Sequence, residues 1–227
     1  TAHDLRRLVL GESLRLIAPG LSLGLVVAAV AGSLTRVVLL GVSPLDALES
    51  LIHGLRYRAV MRHFHDGGRL ADLGSGNEPR FLLTVKDRVE RCWGLDPWAQ
   101  PFDDGKLTVT RGDITKRLPF EDAFLDQITC LAVLEHVDDP PPILRECLRC
   151  LRSGGRLIVT TPSHLGILVH ELMRRLGLVR DVKEDEHHDF LMTPARLAGW
   201  LQEAGFRVED AYTFEFGVNV LAVGLKP

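Results

Sequence analysis

A basic surplus is the first thing missing from this chain: 27 Lys and Arg stand against 30 Asp and Glu, the formal net charge is −3, and there is no long basic run. That removes the electrostatic footprint of a nucleic-acid binder. Only local groups remain, such as Arg174-Arg175 with Arg180, and arginines on a helix face ordinarily solvate their own surface. Cysteine is scarce as well. Cys92 and Cys130 fall in apolar, strand-like runs, and Cys147 and Cys150 share a helical face. The four do not frame a disulfide-stapled secreted domain, so a reducing, cytoplasmic compartment is expected. No second pair completes Cys147-Leu148-Arg149-Cys150 into a zinc site, and the motif lies inside a helix rather than at its N-terminus, so no metal is expected.

Charge is absent from residues 17–35, a stretch of 19 positions. That approaches the ~20 residues a helix needs to span a bilayer. Pro19, three glycines and two serines interrupt it, and Gly20, Gly24, Ala28 and Gly32 recur at every fourth position. Such a stripe suits close helix contact in a membrane and in soluble packing alike. Three readings stay open: a helical cap packed on the domain or on a second copy in a homodimer, a membrane anchor or monotopic contact, and a cleavable signal with Arg6, Arg7 and Arg15 ahead of its apolar core. The chain of 227 residues suits one α/β unit with an extension. The expected division is an N-terminal helical extension over residues 1–55 and a domain over residues 56–227.

What the chain does have is a row of acids at strand ends. Leu70-Ala71-Asp72-Leu73-Gly74-Ser75-Gly76 is an apolar run that ends in an acid and turns through glycines. It reads as a buried strand feeding a helix across a loop whose backbone N–H groups a ligand can approach. Gly94-Leu95-Asp96 follows at about the ~20-residue offset at which a doubly wound fold sets a carboxylate beside a ribose. Gly112-Asp113-Ile114 repeats the pattern, and the row suggests an adenosyl cofactor. Residues 124–131 read as a fourth buried strand, residues 143–151 as a helix, Ser153-Gly154-Gly155 as its break, and residues 156–162 as the next strand. Residues 205–211 and 218–225 suit an antiparallel final pair. Ser43-Pro44 carries a helix-start signature. In the helix that follows, Tyr57 and Arg58 line a pocket or simply cover the helix surface.

Taken in order, Asp72-Leu73-Gly74-Ser75-Gly76, Gly94-Leu95-Asp96, Leu118-Pro119-Phe120, Val133-Leu134-Glu135-His136-Val137 and Ser153-Gly154-Gly155-Arg156-Leu157 resemble the class I S-adenosylmethionine-dependent methyltransferases, in the group that includes the quinone-biosynthesis type. The resemblance implies a Rossmann-like fold: a seven-stranded, mostly parallel, doubly wound sheet with an antiparallel last strand. It implies S-adenosyl-L-methionine as cofactor, with Asp72 anchoring the glycine loop and the cofactor's amino group. Gly74, Ser75 and Gly76 would provide the backbone approach and Asp96 would hold the ribose hydroxyls. Asp113 and Ile114 would frame the adenine, and Leu131 and Ala132 would lie below the methionine moiety. The insertion over residues 163–192 would cover a small-molecule, lipid or glycan acceptor.

One departure is Asn77-Glu78-Pro79 where relatives carry a third glycine. Glu78 either meets the cofactor's ammonium or points to solvent in the first helical turn. For a hydroxyl acceptor a base is required, and His136 and His188 are the candidates by titration range and position. Two other classes stay open. A nicotinamide-dependent oxidoreductase is disfavoured by the missing third small residue, and a non-catalytic scaffold partner by the intact Asp72, Gly74, Gly76 and Asp96.

Overall fold

The structure is a computed structural model that describes residues 44–175 and 192–227. Residues 17–35 and His188 lie outside the described residues. No helix among the described residues is long and apolar enough to cross a membrane.

The strands are β1 (Arg69–Leu73), β2 (Arg91–Asp96), β3 (Phe102–Asp103), β4 (Leu107–Arg111), β5 (Leu125–Leu131), β6 (Leu151–Pro162), β7 (Arg207–Phe214) and β8 (Asn219–Leu225). They form one sheet in the order β3-β4-β2-β1-β5-β6-β8-β7. Strands β4, β2, β1, β5 and β6 run parallel, whereas β3 on β4 and β8 on both β6 and β7 are antiparallel. The architecture is the Rossmann-like α/β type, but the expected seven-stranded sheet is corrected to eight strands, and antiparallel pairing is not confined to the last strand. The additional β3 is two exposed residues held against β4 by its own turn, where the Gly105 N–H donates to Asp103 (2.6 Å) and the Leu107 N–H to Asp104 (2.7 Å). With no apolar alternation to signal it, such a strand is set by turn chemistry alone.

Side-chain alternation assigns the two faces. Along β6, Leu157 and Val159 belong to one buried cluster and Ile158 to the other, and along β8 Val220 and Ala222 alternate in the same way with Leu221 and Val223. A sheet buried on both faces therefore reads as continuous apolar runs. Helices α3 (Pro140–Cys150) and α5 (Pro194–Glu203) cover one face through Ile143, Leu144, Leu197 and Leu201. The end of α1 (Pro44–Val60) and α2 (Arg80–Val85) cover the other through Val60, Phe81, Leu82 and Val85. Proline opens α1, α3 and α5, where its fixed φ is pre-set and its missing N–H costs nothing. Helix α4 (His164–Arg175) follows β6. Ser153-Gly154-Gly155 do not form a separate break. The helix already ends at Cys150, and these residues enter β6 opposite a register shift, with Gly154 at φ 76°. All four cysteines are buried free thiols.

Arg149 ties α3 to the segment preceding β5. Its guanidinium donates to the carboxylates of Glu146 (2.7 Å) and Asp122 (2.7 Å) and to the carbonyls of Leu118 and Phe120. Hydrogen bonding to Arg149 holds the Glu146 carboxyl below its ordinary range. Replacing Arg149 by Met takes the guanidinium from two carbonyls and leaves the half-buried Glu146 carboxylate with the Leu118 N–H (3.0 Å) as its remaining donor. An expected loss of about 2–3 kcal/mol should appear as a lower urea midpoint at unchanged slope.

Candidate functional site

The chain steps from β1 outward through β2 to β4 and then returns to the other side of β1 as β5. That reversal between β1 and β5 is the topological switch point, where a doubly wound sheet opens a crevice beyond its carboxyl ends. Because β4, β2, β1 and β5 are neighbours in that order, the sequences after Arg111, at Asp96, at Asp72 and at Leu131 stand side by side along one edge.

The glycine loop is shaped by two left-handed residues, Gly74 (φ 74°) and Gly76 (φ 72°). A Cβ on Gly74 would collide with Val133 Cγ2, whereas one on Gly76 would meet nothing nearer than the Glu78 backbone at 3.9 Å. The first glycine is therefore demanded by packing, and the second leaves the loop's outer surface open. The loop is anchored to β2 at two points: the Gly74 N–H donates to the Leu95 carbonyl (2.8 Å) and the Gly76 N–H to Asp96 Oδ2 (3.0 Å). Asp96 Oδ1 accepts from the Trp98 N–H (2.8 Å). Each carboxylate oxygen keeps a free lone-pair direction, which is what a vicinal diol requires. The Ser75 hydroxyl beside them is buried with no hydrogen-bond partner.

Asp72 is 4% exposed. Its Oδ1 accepts from Thr129 Oγ1 on β5 at 2.6 Å. Burial pushes this carboxyl up to about 7 against the opposing Thr129 hydrogen bond, and the Asp96 charge adds to the rise. A cation arriving here, such as an ammonium, would remove that penalty. On α1, Tyr57 packs its ring 5.3 Å from Phe81, and burial followed by the Asp72 charge holds its hydroxyl above the ordinary value. Arg58 is exposed, so of this pair only Tyr57 turns inward. These features fit an adenosyl group that bears an ammonium and a ribose: an open glycine cradle, an orphaned hydroxyl, a carboxylate with spare acceptor capacity and a buried acid short of a cation.

The remaining sequence candidates are spread around this centre. Asp113 follows β4, and its Oδ1 accepts from the N–H (2.9 Å) and hydroxyl (2.6 Å) of Thr115 while Lys116 lies 3.3 Å from Oδ2. Those bonds turn the carboxylate into its own loop and hold it below the ordinary range. Ile114 is buried within the core cluster that contains Leu95. Leu131 ends β5 half-buried, and Ala132 takes a left-handed φ of 57° while donating to the Thr160 carbonyl (2.9 Å). A residue with a Cβ held in that conformation at a strand end stores local strain. His136 is exposed on the short turn Leu134–His136. Glu78 pairs with Arg80 at 3.1 Å on the exposed side of the loop, which is the solvent-facing alternative. Among the described residues there is no group of three or more His, Cys, Asp or Glu that could hold a metal.

Thr129 was not singled out by the sequence reading, although a signal existed. In the buried run of β5 the polar residues Gln127 and Thr129 sit two apart, hence on one face. Each grips the backbone or acid of a neighbouring segment, Gln127 through His65 (2.6 and 2.8 Å) and Thr129 through Asp72.

The family described as a methyltransferase domain matches residues 48–211. The ubiquinone biosynthesis O-methyltransferase of Xanthomonas euvesicatoria is 38% identical over 121 residues, covering 45% of this chain and 49% of that protein. The protein of the same name from Xylella fastidiosa M23 is 38% identical over 162 residues, covering 64% and 63%. The chain thus spans about half the length of the first of these relatives and under two thirds of the second. An S-adenosylmethionine-dependent methyltransferase from Mesorhizobium loti superposes with a TM-score of 0.59 at 16% identity, covering 75% of this chain and 97% of the other.

Proposed function

The chain belongs to the methyltransferase-domain family of class I S-adenosylmethionine-dependent proteins, and from that premise we propose that it transfers a methyl group from S-adenosylmethionine to a hydroxyl of a small-molecule acceptor. When bound, the cofactor supplies a methyl carbon made electrophilic by its sulfonium. The protein's part is to hold both partners at attack distance and in line.

Asp72, its carboxylate oriented by Thr129, would hold the cofactor's ammonium. The Gly74-Ser75-Gly76 backbone, with Leu131 and Ala132, would hold the methionine moiety. Asp96 would accept from both ribose hydroxyls, and Asp113 with Ile114 would border the adenine. The observation that carries this reading is the placing of Asp72 on β1 and Asp96 on β2 at the carboxyl ends of neighbouring strands beside the switch point, with the Gly76 N–H donating to Asp96 and Thr129 to Asp72. Residues 56–227 form the catalytic domain; of the expected acceptor cover, residues 176–191 lie outside the described residues. The hydroxyl acceptor is supported by relatives whose names specify O-methylation in ubiquinone biosynthesis. For its proton, His136 stands exposed beyond β5. Neither the family nor the fold comparison supports the nicotinamide or scaffold alternatives.

The deciding experiment incubates the protein with methyl-labelled S-adenosylmethionine and a panel of phenols, lipids and glycans. Label in an ether product of a phenol supports the reading. Label only in an amine or carbon product contradicts it.

A further inference from the structure

Two of the three tryptophans are spent inside the fold. Trp93 stands edge-on to Phe120 and Phe124, with ring centres 6.0 and 5.3 Å away, and the Arg196 guanidinium lies 5.6 Å over Trp200. Trp98 is different. It is 71% exposed, and among the described residues its ring meets no other ring and no cation.

The backbone that carries this indole is pinned beside the ribose carboxylate. The Trp98 N–H donates to Asp96 Oδ1 (2.8 Å), and the Asp96 carbonyl accepts from the N–H groups of Ala99 (3.3 Å) and Gly112 (3.1 Å). Arg111 Nε donates to the Pro97 carbonyl (2.7 Å), and Pro97 fixes its own φ. Strand β2 lies between β1 and β4, so this turn has the glycine loop on one flank and the Asp113 loop on the other. The two oxygens of Asp96 divide in the same way: Oδ2 faces the Gly76 N–H and Oδ1 the Trp98 N–H. A diol held by both oxygens therefore has the glycine loop to one side and the Trp98 turn to the other. With the cofactor's amino-acid end at Asp72, its base falls on the Trp98 side.

On that side the one acid is already engaged. Asp113 Oδ1 accepts from both the N–H and the hydroxyl of Thr115, which fills its two lone-pair directions, and Oδ2 faces the Lys116 ammonium at 3.3 Å. The carboxylate's charge is answered within its own loop, so it offers little to the edge of a base.

We propose that the cofactor's base stacks on the Trp98 indole, and that this site recognises the base by its face and leaves the exocyclic amino group unread. Stacking tolerates changes at the edge because every purine has a π-face. A carboxylate that read the amino group would instead meet an oxygen in a 6-oxopurine, acceptor against acceptor, and reject it. The inference deepens the methyl-transfer reading and rests on it.

The test titrates the full chain calorimetrically with S-adenosylhomocysteine and with S-inosylhomocysteine, its 6-oxo counterpart, in the wild type, Trp98→Ala and Trp98→Phe, and follows tryptophan emission alongside. Trp98→Ala is expected to bind S-adenosylhomocysteine about tenfold more weakly or worse, and Trp98→Phe to recover most of that loss. The wild type is expected to bind the two ligands within about fivefold of one another, as stacking on a common ring system requires. S-adenosylhomocysteine should quench emission in the wild type and not in Trp98→Phe, a signature that a merely structural Trp98 would not give. Melting temperatures should match, because the side chain is exposed. Undiminished affinity in Trp98→Ala, no recovery in Trp98→Phe, or loss of S-inosylhomocysteine binding in the wild type overturns the proposal and leaves methyl transfer standing. A wild type that binds no S-adenosylhomocysteine overturns the methyl-transfer reading, and this proposal with it.

Discussion

Asp96→Ala is expected to lose about two orders of magnitude or more in affinity for S-adenosylhomocysteine, the equivalent of two hydrogen bonds to a charged acceptor. The loss has two sources. The ribose hydroxyls lose their common acceptor, and the Gly76 and Trp98 N–H groups lose the carboxylate that fixes the glycine loop to β2. Asp96→Asn separates them. Its single oxygen keeps two lone pairs, enough for one N–H and one hydroxyl, and its NH2 only donates, so an intermediate loss is expected. Calorimetric titration alongside circular dichroism checks both variants. Near wild-type affinity in Asp96→Ala would remove the ribose assignment.

The second large effect is pH dependence of cofactor binding through Asp72. Its carboxyl sits at about 7 in the unliganded protein, so below that pH the site is mostly neutral, whereas an ammonium prefers the carboxylate. Affinity for S-adenosylhomocysteine should be level above pH 7 and fall by up to about tenfold per pH unit below it, as linkage requires when a proton must leave on binding. The stability of the unliganded protein runs the other way. The folded-state value lies above the unfolded one, so between the ordinary aspartate range and pH 7 the folded state holds a proton that the unfolded state has lost. Stability should then decline as pH rises through that window and level off above it. Thr129→Val removes the hydroxyl that opposes the shift, which moves the affinity midpoint to higher pH, and Thr129→Ser restores it. Asp72→Asn should abolish the pH dependence and weaken binding at least tenfold. Affinity that is flat from pH 5.5 to 8.5 in the wild type would contradict the role given to Asp72.

The parts of this site that could be read in advance share one property: their signal is local. Asp72 and Asp96 each end an apolar run beside glycine, so strand, acid and turn lie within a few residues, and the switch point follows from the order of the runs. The terminal pair β7 and β8 was legible for the same reason, as two apolar or alternating segments joined by a short loop. Strand β3 was not, because Phe102 and Asp103 are exposed and their pairing depends on carboxylate-capped turns. Thr129 was only half legible. Its period with Gln127 marks a special face of β5, but its partner is known only once β1 lies alongside. Glu78, by contrast, met the simpler of its two readings, since Arg80 two positions on claims its carboxylate at the surface.

The central claim is an adenosylmethionine site built on Asp72, the Gly74-Ser75-Gly76 loop and Asp96. Its most direct test is calorimetric titration of the full chain at pH 7.5 with S-adenosylhomocysteine and, separately, with nicotinamide adenine dinucleotide. The account predicts one S-adenosylhomocysteine per chain with an affinity on the order of micromolar, about −8 kcal/mol, and no saturable heat with the dinucleotide. Saturable dinucleotide binding without S-adenosylhomocysteine binding would contradict it.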